Sequence, residues 1–432
     1  MIFGKSHKKL VIIGIDGAPF ELIQTYIKSG IMPHLREIIG KGKMVPMCVP
    51  LPEISSVSWS SFMTGANPGE HGIFGFVDMM NGSYQYRFPD FRDLQVPPFF
   101  DELGKRKIRS VIINLPSTYP ARKIPGVLIS GFVVPDLKRA VYPEYYLEVL
   151  KKFGYEVDVD ATKGKDRKME LLSDLHYTLQ VRKQLADFIW NRENWDLFMF
   201  TITGTDRLHH FFFDAYSDPS HQFHHEFKKY YEEVDNIIGD FFEKIERKDE
   251  FEFILLSDHG FVDINQEVYI NPILKQNGYF STDTFDVTSL EDMTEQSKAF
   301  ALDPSRIYIH LRDKFPRGKV NQNDYYRIRR EIKNLFQEYR IGKDKVFRKV
   351  FFKEEIYSGK LLDQAPDIVL LSQHGFDLKA GLKKRIEHGD THFKGMHSFD
   401  NAFFFSSKPE FIPERMTIVD VKHHIFQLLR VN

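Results

Sequence analysis

Three stretches of the chain are almost unbroken in their apolar character, and each is followed by an aspartate. They are Lys9–Ile15 before Asp16, residues 195–202 before Asp206, and Phe251–Leu256 before Asp258. Runs of this length, rich in β-branched and aromatic residues, predict strands buried on both faces of a parallel sheet. Between them the apolar positions change to helical spacing. Pro19 opens a helix to about Lys28 that Gly30 ends, and Pro33 opens another to Ile39. Residues from about 142 to 194 read as helical, with Leu171, Leu172, Leu175, Leu179, Leu185 and Ile189 near helical spacing, and 221–248 reads as one amphipathic helix. Strand followed by helix, repeated, predicts an α/β fold whose central, mostly parallel sheet has helices on both faces.

The remaining elements follow the same logic. Strands are expected at Ser110–Leu115 and 127–130, with a helix near 98–105. From Phe261 to Gly359 the pattern loosens into a strand at 306–311, a helix at 323–339 and a strand at 346–352, which predicts an inserted cap. The division expected is a core of residues 1–260 and 360–432 with 261–359 inserted. The sheet is expected to resume at 367–371 and again at 401–406, before a last helix at 419–429.

One helix start stands out for chemistry. Pro52 stops the preceding segment, and Val57, Phe62 and Met63 begin an apolar helical face that Gly65 and Pro68 end. Ser55 and Ser56 therefore sit at a helix N-terminus, where free N–H groups and the dipole favour an anion. N-capping is the competing role for either serine. The three aspartates lie past the carboxyl ends of strands, where parallel sheets bind ligands.

Histidines join them. Asp206 and His210 are four apart, on one face of a helical turn. Asp258-His259-Gly260 pairs a second carboxylate and imidazole, and His397 adds a third ring. Asp and His without available Cys suit zinc or a similar divalent ion. The set is large enough for two ions, one on Asp16, Asp258 and His259, the other on Asp206, His210 and His397. His388 and His392 are alternatives to His397, and Asp400 is a candidate to orient a histidine. His71 is expected to shape its turn. His209, His221, His224 and His225 are expected to pack or to lie on helix surfaces, and Arg207 to point outward.

Composition narrows the field. The 432 residues carry 59 basic and 60 acidic side chains, so no global charge points to a nucleic-acid polymer or an anionic membrane. Any attraction for phosphate must be local. The single cysteine, Cys48, excludes an internal disulfide and fits a reducing, cytoplasmic setting; it is expected to be a small buried hydrophobe. No apolar run approaches the ~20 residues of a membrane span, and 10–15 is too short for an export signal. The 40 phenylalanines point to an aromatic-rich core, with an aromatic-lined cleft as the alternative.

Taken in order, Gly14-Ile-Asp16-Gly-Ala, Gly30-Ile-Met-Pro-His-Leu, the Ser55 segment with Trp59, Thr64-Gly65, Pro68 and His71-Gly-Ile, Trp195-Asp-Leu, Asp206 with His210, Ser257-Asp-His-Gly260 and His397-Ser-Phe-Asp-Asn401 resemble the alkaline phosphatase superfamily. The resemblance is to its type I phosphodiesterase/nucleotide pyrophosphatase branch. It implies an alkaline-phosphatase-like fold with Ser55 as nucleophile and ligand, and two divalent ions, zinc with manganese as a substitute. It also implies hydrolysis of a small-molecule phosphodiester or phosphoanhydride, nucleotides among them, through a phosphoseryl intermediate. A phosphomonoesterase, a phosphonate hydrolase, a phosphoryl transferase and a non-catalytic binding protein are the alternatives. Family members often carry an asparagine after His-Gly-Ile to bind a non-bridging oxygen, whereas this chain reads Phe74-Gly-Phe76. That oxygen's partner is left unassigned, with Arg207 one option. Sulfatases of the superfamily need x-Pro-Ser-Arg after the nucleophile, and Ser55 is followed by Ser-Val-Ser-Trp59.

Overall fold

Lys9–Ile15 lies inside the main sheet, pairing parallel with Leu197–Ile202 on one side and Phe251–Leu256 on the other. The structure, a computed structural model, describes residues 8–431 apart from 81, 247, 249, 250, 285 and 286. Among the described residues the main sheet has nine strands. Their order is Met416–Thr417, Lys43–Cys48, Ala402–Ser406, Phe251–Leu256, Lys9–Ile15, Leu197–Ile202, Ser110–Leu115, Gly126–Ser130 and Val141–Tyr142. The run from Phe251–Leu256 to Gly126–Ser130 is parallel, and Gly14 stands level with Thr201 and Leu256. In-register parallel pairing brings Asp16, Asp206 and Asp258 out at one edge.

Strand alternation sends Val11, Ile13 and Ile15 to one core, shared with the helices Phe20–Ser29, Lys168–Arg192 and His224–Glu246. Leu10 and Ile12 face the other core, beneath the helices Ser55–Thr64 and Asp420–Leu429. Both faces are covered, which is the physical reason these strands read as continuous apolar runs. Gly14 permits the close approach of the Ser55 helix: a Cβ there would stand 2.7 Å from the Trp59 ring.

The chain then leaves the main sheet. Gly260–Tyr269 pairs with Gly375–Lys379, His388–Gly389 and Gly395–Ser398, and the last pairing sets Phe261 opposite His397. A third sheet contains Ala299–Leu302, Arg306–Ile309, Ile368–Ser372 and Phe347–Phe352, covered by the helix Gln322–Glu338 through Ile328, Ile332 and Phe336. This corrects one expectation. The 367–371 run does not resume the main sheet; Ile368–Ser372 pairs antiparallel with Phe347–Phe352 and Arg306–Ile309. A strand buried on both faces reads the same in either sheet, and the main sheet is regained only at Ala402–Ser406. Lys43–Cys48 has no strand signal in sequence because Pro46 interrupts it. Cys48, at its end, is only half-buried rather than part of the core. Among the described residues no helix is long and apolar enough to cross a membrane.

Candidate active site

Ser55 is the first residue of the helix Ser55–Thr64, with Ile54 in the capping position and no side-chain cap. The capping role is therefore not taken by either serine. Ser55 Oγ donates toward Asp16 Oδ1 at 3.3 Å and lies 3.1 Å from His259 Nε2. Ser56 Oγ is buried with no hydrogen-bond partner among the described residues. Asp16 is held by the Trp59 indole N–H at Oδ2, 3.1 Å, and by Thr205 Oγ donating to its carbonyl at 2.6 Å. Gly17 turns the chain with φ +66 and donates its N–H to Asp258 Oδ1 at 3.0 Å. Asp258 Oδ2 is buried, has no hydrogen-bond partner among the described residues, and lies 3.4 Å from His259 Nε2.

Two groups of donor atoms converge here. Asp206, His210 and His397 form one; Asp16, Asp206 and His259 form the other, so Asp206 takes part in both. Within the first, His397 Nε2 lies 3.2 Å from Asp206 Oδ1 and 3.1 Å from His210 Nε2. The division expected from sequence gave Asp258, not Asp206, to the Asp16 group; Asp258 stands beside His259 through its free Oδ2. His388 is exposed, and His392 packs against the Phe393 ring at 4.2 Å, so neither joins the cluster.

Each clustered imidazole faces a backbone carbonyl through Nδ1: His210 toward Gly395, His259 toward Gly260 and His397 toward Glu53, at 3.3, 3.1 and 2.9 Å. A carbonyl only accepts, so Nδ1 carries the hydrogen and the Nε2 lone pairs point into the cluster. Lone pairs of three imidazoles and three carboxylates then face one another in a buried space. Such an arrangement needs cations, as protons or as metal ions. Taken without metal, burial and the neighbouring carboxylates Asp258 and Asp206 push Asp16 upward, and burial pushes Asp258 upward. Burial opposes ionisation of Asp206, but His210, His397 and Arg207 outweigh it and hold that carboxyl well below its usual range. Burial pushes His210 down to about 3, which keeps the ring in the neutral form that binds metal. The donor set therefore fits divalent metal ions.

A cavity of ≈250 Å³ opens on this cluster, lined by Ser55, Asp16, Asp206, Arg207, His210 and His397 and walled by Phe76, Phe88 and Phe132. Arg207 corrects an expectation. Far from pointing outward, its guanidinium lines the cavity, pairs with Asp158 Oδ2 at 2.6 Å, touches Asp206 Oδ2 at 3.3 Å and stacks 4.8 Å from the Phe132 centroid. A charged residue one step from a ligand aspartate on a one-turn face cannot be oriented from spacing alone. Asp158 lies between the helices Tyr146–Phe153 and Lys163–Asp166, in a loop that interrupts the helical stretch expected over 142–194. Asp400 pairs with Arg348 at 2.7 Å rather than with a histidine. His71 does shape its turn, accepting from Ile73 N at 3.1 Å, and His209 packs between Gly17 O and the Tyr231 hydroxyl.

Solved structures share this architecture. Phosphonoacetate hydrolase from Sinorhizobium meliloti, in complex with phosphonoacetate, superposes with a TM-score of 0.63 at 16% identity, over 98% of this chain and 96% of that one. An inactive variant of murine ectonucleotide pyrophosphatase/phosphodiesterase 5, in complex with AMP, gives 0.59 at 14% identity over the same shares. These likenesses establish an alkaline-phosphatase-like fold. No curated protein matches the sequence. The type I phosphodiesterase/nucleotide pyrophosphatase family model matches residues 10–400, in keeping with the fold and the ordered motifs, and the chain belongs to that family.

Proposed function

We propose that the protein is a two-metal hydrolase that cleaves a phosphodiester or phosphoanhydride of a small molecule, nucleotides included, with Ser55 as nucleophile. The observation that carries this reading is the place of Ser55 Oγ, at a helix N-terminus and within 3.1–3.3 Å of His259 Nε2 and Asp16 Oδ1. Asp16, Asp258, His259 and Ser55 would hold one ion and Asp206, His210 and His397 the other. Bound there, such ions supply Lewis acidity, lowering the pKa of a coordinated hydroxyl and offsetting charge on phosphoryl oxygens.

The chain's own residues set the order of events. Ser55 Oγ is presented at the cavity, and Asp16 Oδ1, which accepts its hydrogen bond, is where its proton first points. Attack forms the Oγ–P bond as the bond to the departing alcohol or phosphate breaks; water then attacks phosphorus and releases Ser55. The first-turn N–H groups of the Ser55 helix favour the anion in this position. Arg207, fixed by Asp158, directs its guanidinium at the same cavity and takes the place of the family's missing asparagine as partner of a non-bridging oxygen.

The structural relatives that bind phosphonoacetate and AMP support small phosphorus-containing substrates as a class. We read 261–359, together with the strand Ile368–Ser372, as a cap over the core, and a reducing compartment as the setting that suits a lone cysteine. Initial rates on bis(4-nitrophenyl) phosphate and 4-nitrophenyl phosphate test the reaction class. The diester is expected to be preferred; a large monoester preference would transfer the site to a phosphomonoesterase.

A further inference from the structure

A second cavity, of ≈350 Å³, shares Phe76, His210 and His397 with the first, so the two are arms of one cleft that meet at the Asp206 group. The second arm is furnished differently. Lys379 enters it, paired with Asp377 at 2.8 Å and lying 5.8 Å from the Phe393 centroid. Asp303 and Glu53 add two carboxylates, Asp303 committing Oδ1 to the N–H of Ala380. Ser305 lines the same space, is 3% exposed, and its hydroxyl has no hydrogen-bond partner among the described residues. Phe76 and Phe393 supply aromatic surface.

Charge decides among occupants. Asp303 and Asp377 against the single Lys379 ammonium leave no surplus positive charge for a second phosphate or a carboxylate, while an ammonium inside the arm disfavours a quaternary cation. A neutral group bearing adjacent hydroxyls uses every feature. Its hydroxyls donate to the carboxylates and accept from Lys379 and Ser305, and its C–H face lies on the rings. We propose that this arm holds one ester group of the substrate, and that the group is a polyhydroxylated alcohol, a glycerol or a sugar unit. The inference rests on the hydrolase reading above.

Four chromogenic diesters of 4-nitrophenyl phosphate test it, carrying glycerol, glucose through O6, choline or propan-1-ol. The glyceryl or glucosyl ester is expected to exceed the propyl ester in kcat/KM by roughly tenfold or more, as sites built to bind hydroxyls reject analogues lacking them. Whichever polyol leads identifies the source. In Asp377→Asn and Ser305→Ala that ratio is expected to fall by about threefold or more. Ser305→Ala removes only a hydroxyl, so it carries the test if Asp377→Asn does not fold. Equal rates on polyol and propyl esters, a lead for the choline ester, or an unchanged ratio in Ser305→Ala would overturn the proposal. If no diester is hydrolysed, the hydrolase reading fails on its own. Calorimetric binding of glycerol 3-phosphate against propyl phosphate then decides the arm: tighter binding of the glycerol ester upholds it, and equal binding overturns it.

Discussion

His397 Nε2 lies 3.2 Å from Asp206 Oδ1, although 191 positions separate them in the chain. Asp206 reaches the site from the helix Gly204–Phe212 that follows a main-sheet strand, whereas His397 arrives on Gly395–Ser398, paired to Gly260–Tyr269. Removing the ring at 397 leaves Asp206 and His210 as a two-residue remnant. His397→Ala is expected to lower bound metal by about one ion per chain and turnover by about a hundredfold or more. Elemental analysis of the purified variant checks the first number, and undiminished metal content would remove His397 from the ligand set.

Metal removal is the broader test. Buried carboxylates at Asp16, Asp206 and Asp258 repel one another when no ion separates them. Chelation is expected to abolish activity and to lower the melting temperature, and zinc or manganese to restore both. Full activity in the metal-free protein would end the two-ion reading.

The adjacent serines separate a chemical role from a structural one. Ser55→Ala is expected to lower kcat by several orders of magnitude and to prevent trapping of a phosphorylated peptide. Ser56 Oγ is buried without a partner among the described residues, so Ser56→Ala deletes an unsatisfied hydroxyl and is expected to keep most activity with little change in stability. Mass-spectrometric mapping of the labelled peptide shows which serine carries phosphate.

Why some of this was legible in sequence and some was not comes down to range. The parallel strands, the helix that starts at Ser55 and the Asp206/His210 pair are local patterns, written in apolar runs, breakers and four-residue spacing. Gly30 with φ +78 ends its helix as its identity implies. The membership of Ile368–Ser372 in the third sheet depends on partners more than fifteen residues away, and an apolar pentamer does not encode which sheet receives it. Arg207 shows the same limit at side-chain scale. Its direction is fixed by Asp158, 49 residues earlier in a loop, and neither residue's spacing records that contact.

Acid sensitivity follows from a histidine outside the site. His424 is 2% exposed; its Nδ1–H donates to Phe411 O at 3.3 Å and its Nε2 accepts from Ser406 Oγ at 2.7 Å. Burial pushes this ring down to about 4, against ~6.5 in an unfolded chain. The unfolded chain thus takes up a proton that the fold refuses. Stability is full above the unfolded value and falls by up to about 3 kcal/mol as the pH drops toward the folded one. Melting curves from about pH 7 down to about pH 4.5 are expected to decline less steeply for His424→Gln than for the wild type. Equal slopes would assign the decline to other groups.

Arg207 offers the sharpest separation between holding metal and holding substrate. Its guanidinium is kept in the cavity wall by three hydrogen bonds to Asp158 and by the Phe132 ring, and it reaches Asp206 through one nitrogen. If it binds a non-bridging oxygen, its loss raises the barrier where charge accumulates on phosphorus, an effect of about a hundredfold to a thousandfold in kcat for a preorganised donor. Arg207→Ala is therefore expected to lose that much activity while retaining bound metal. Arg207→Lys, which keeps the charge but not the planar fork, is expected to recover only part of it. Asp158→Asn frees the guanidinium without removing it, so a smaller loss, expressed mainly in kcat, is expected there. A drop in metal content in Arg207→Ala as large as in His397→Ala would instead make Arg207 a support for Asp206, and the partner of the phosphoryl oxygen would have to be another residue.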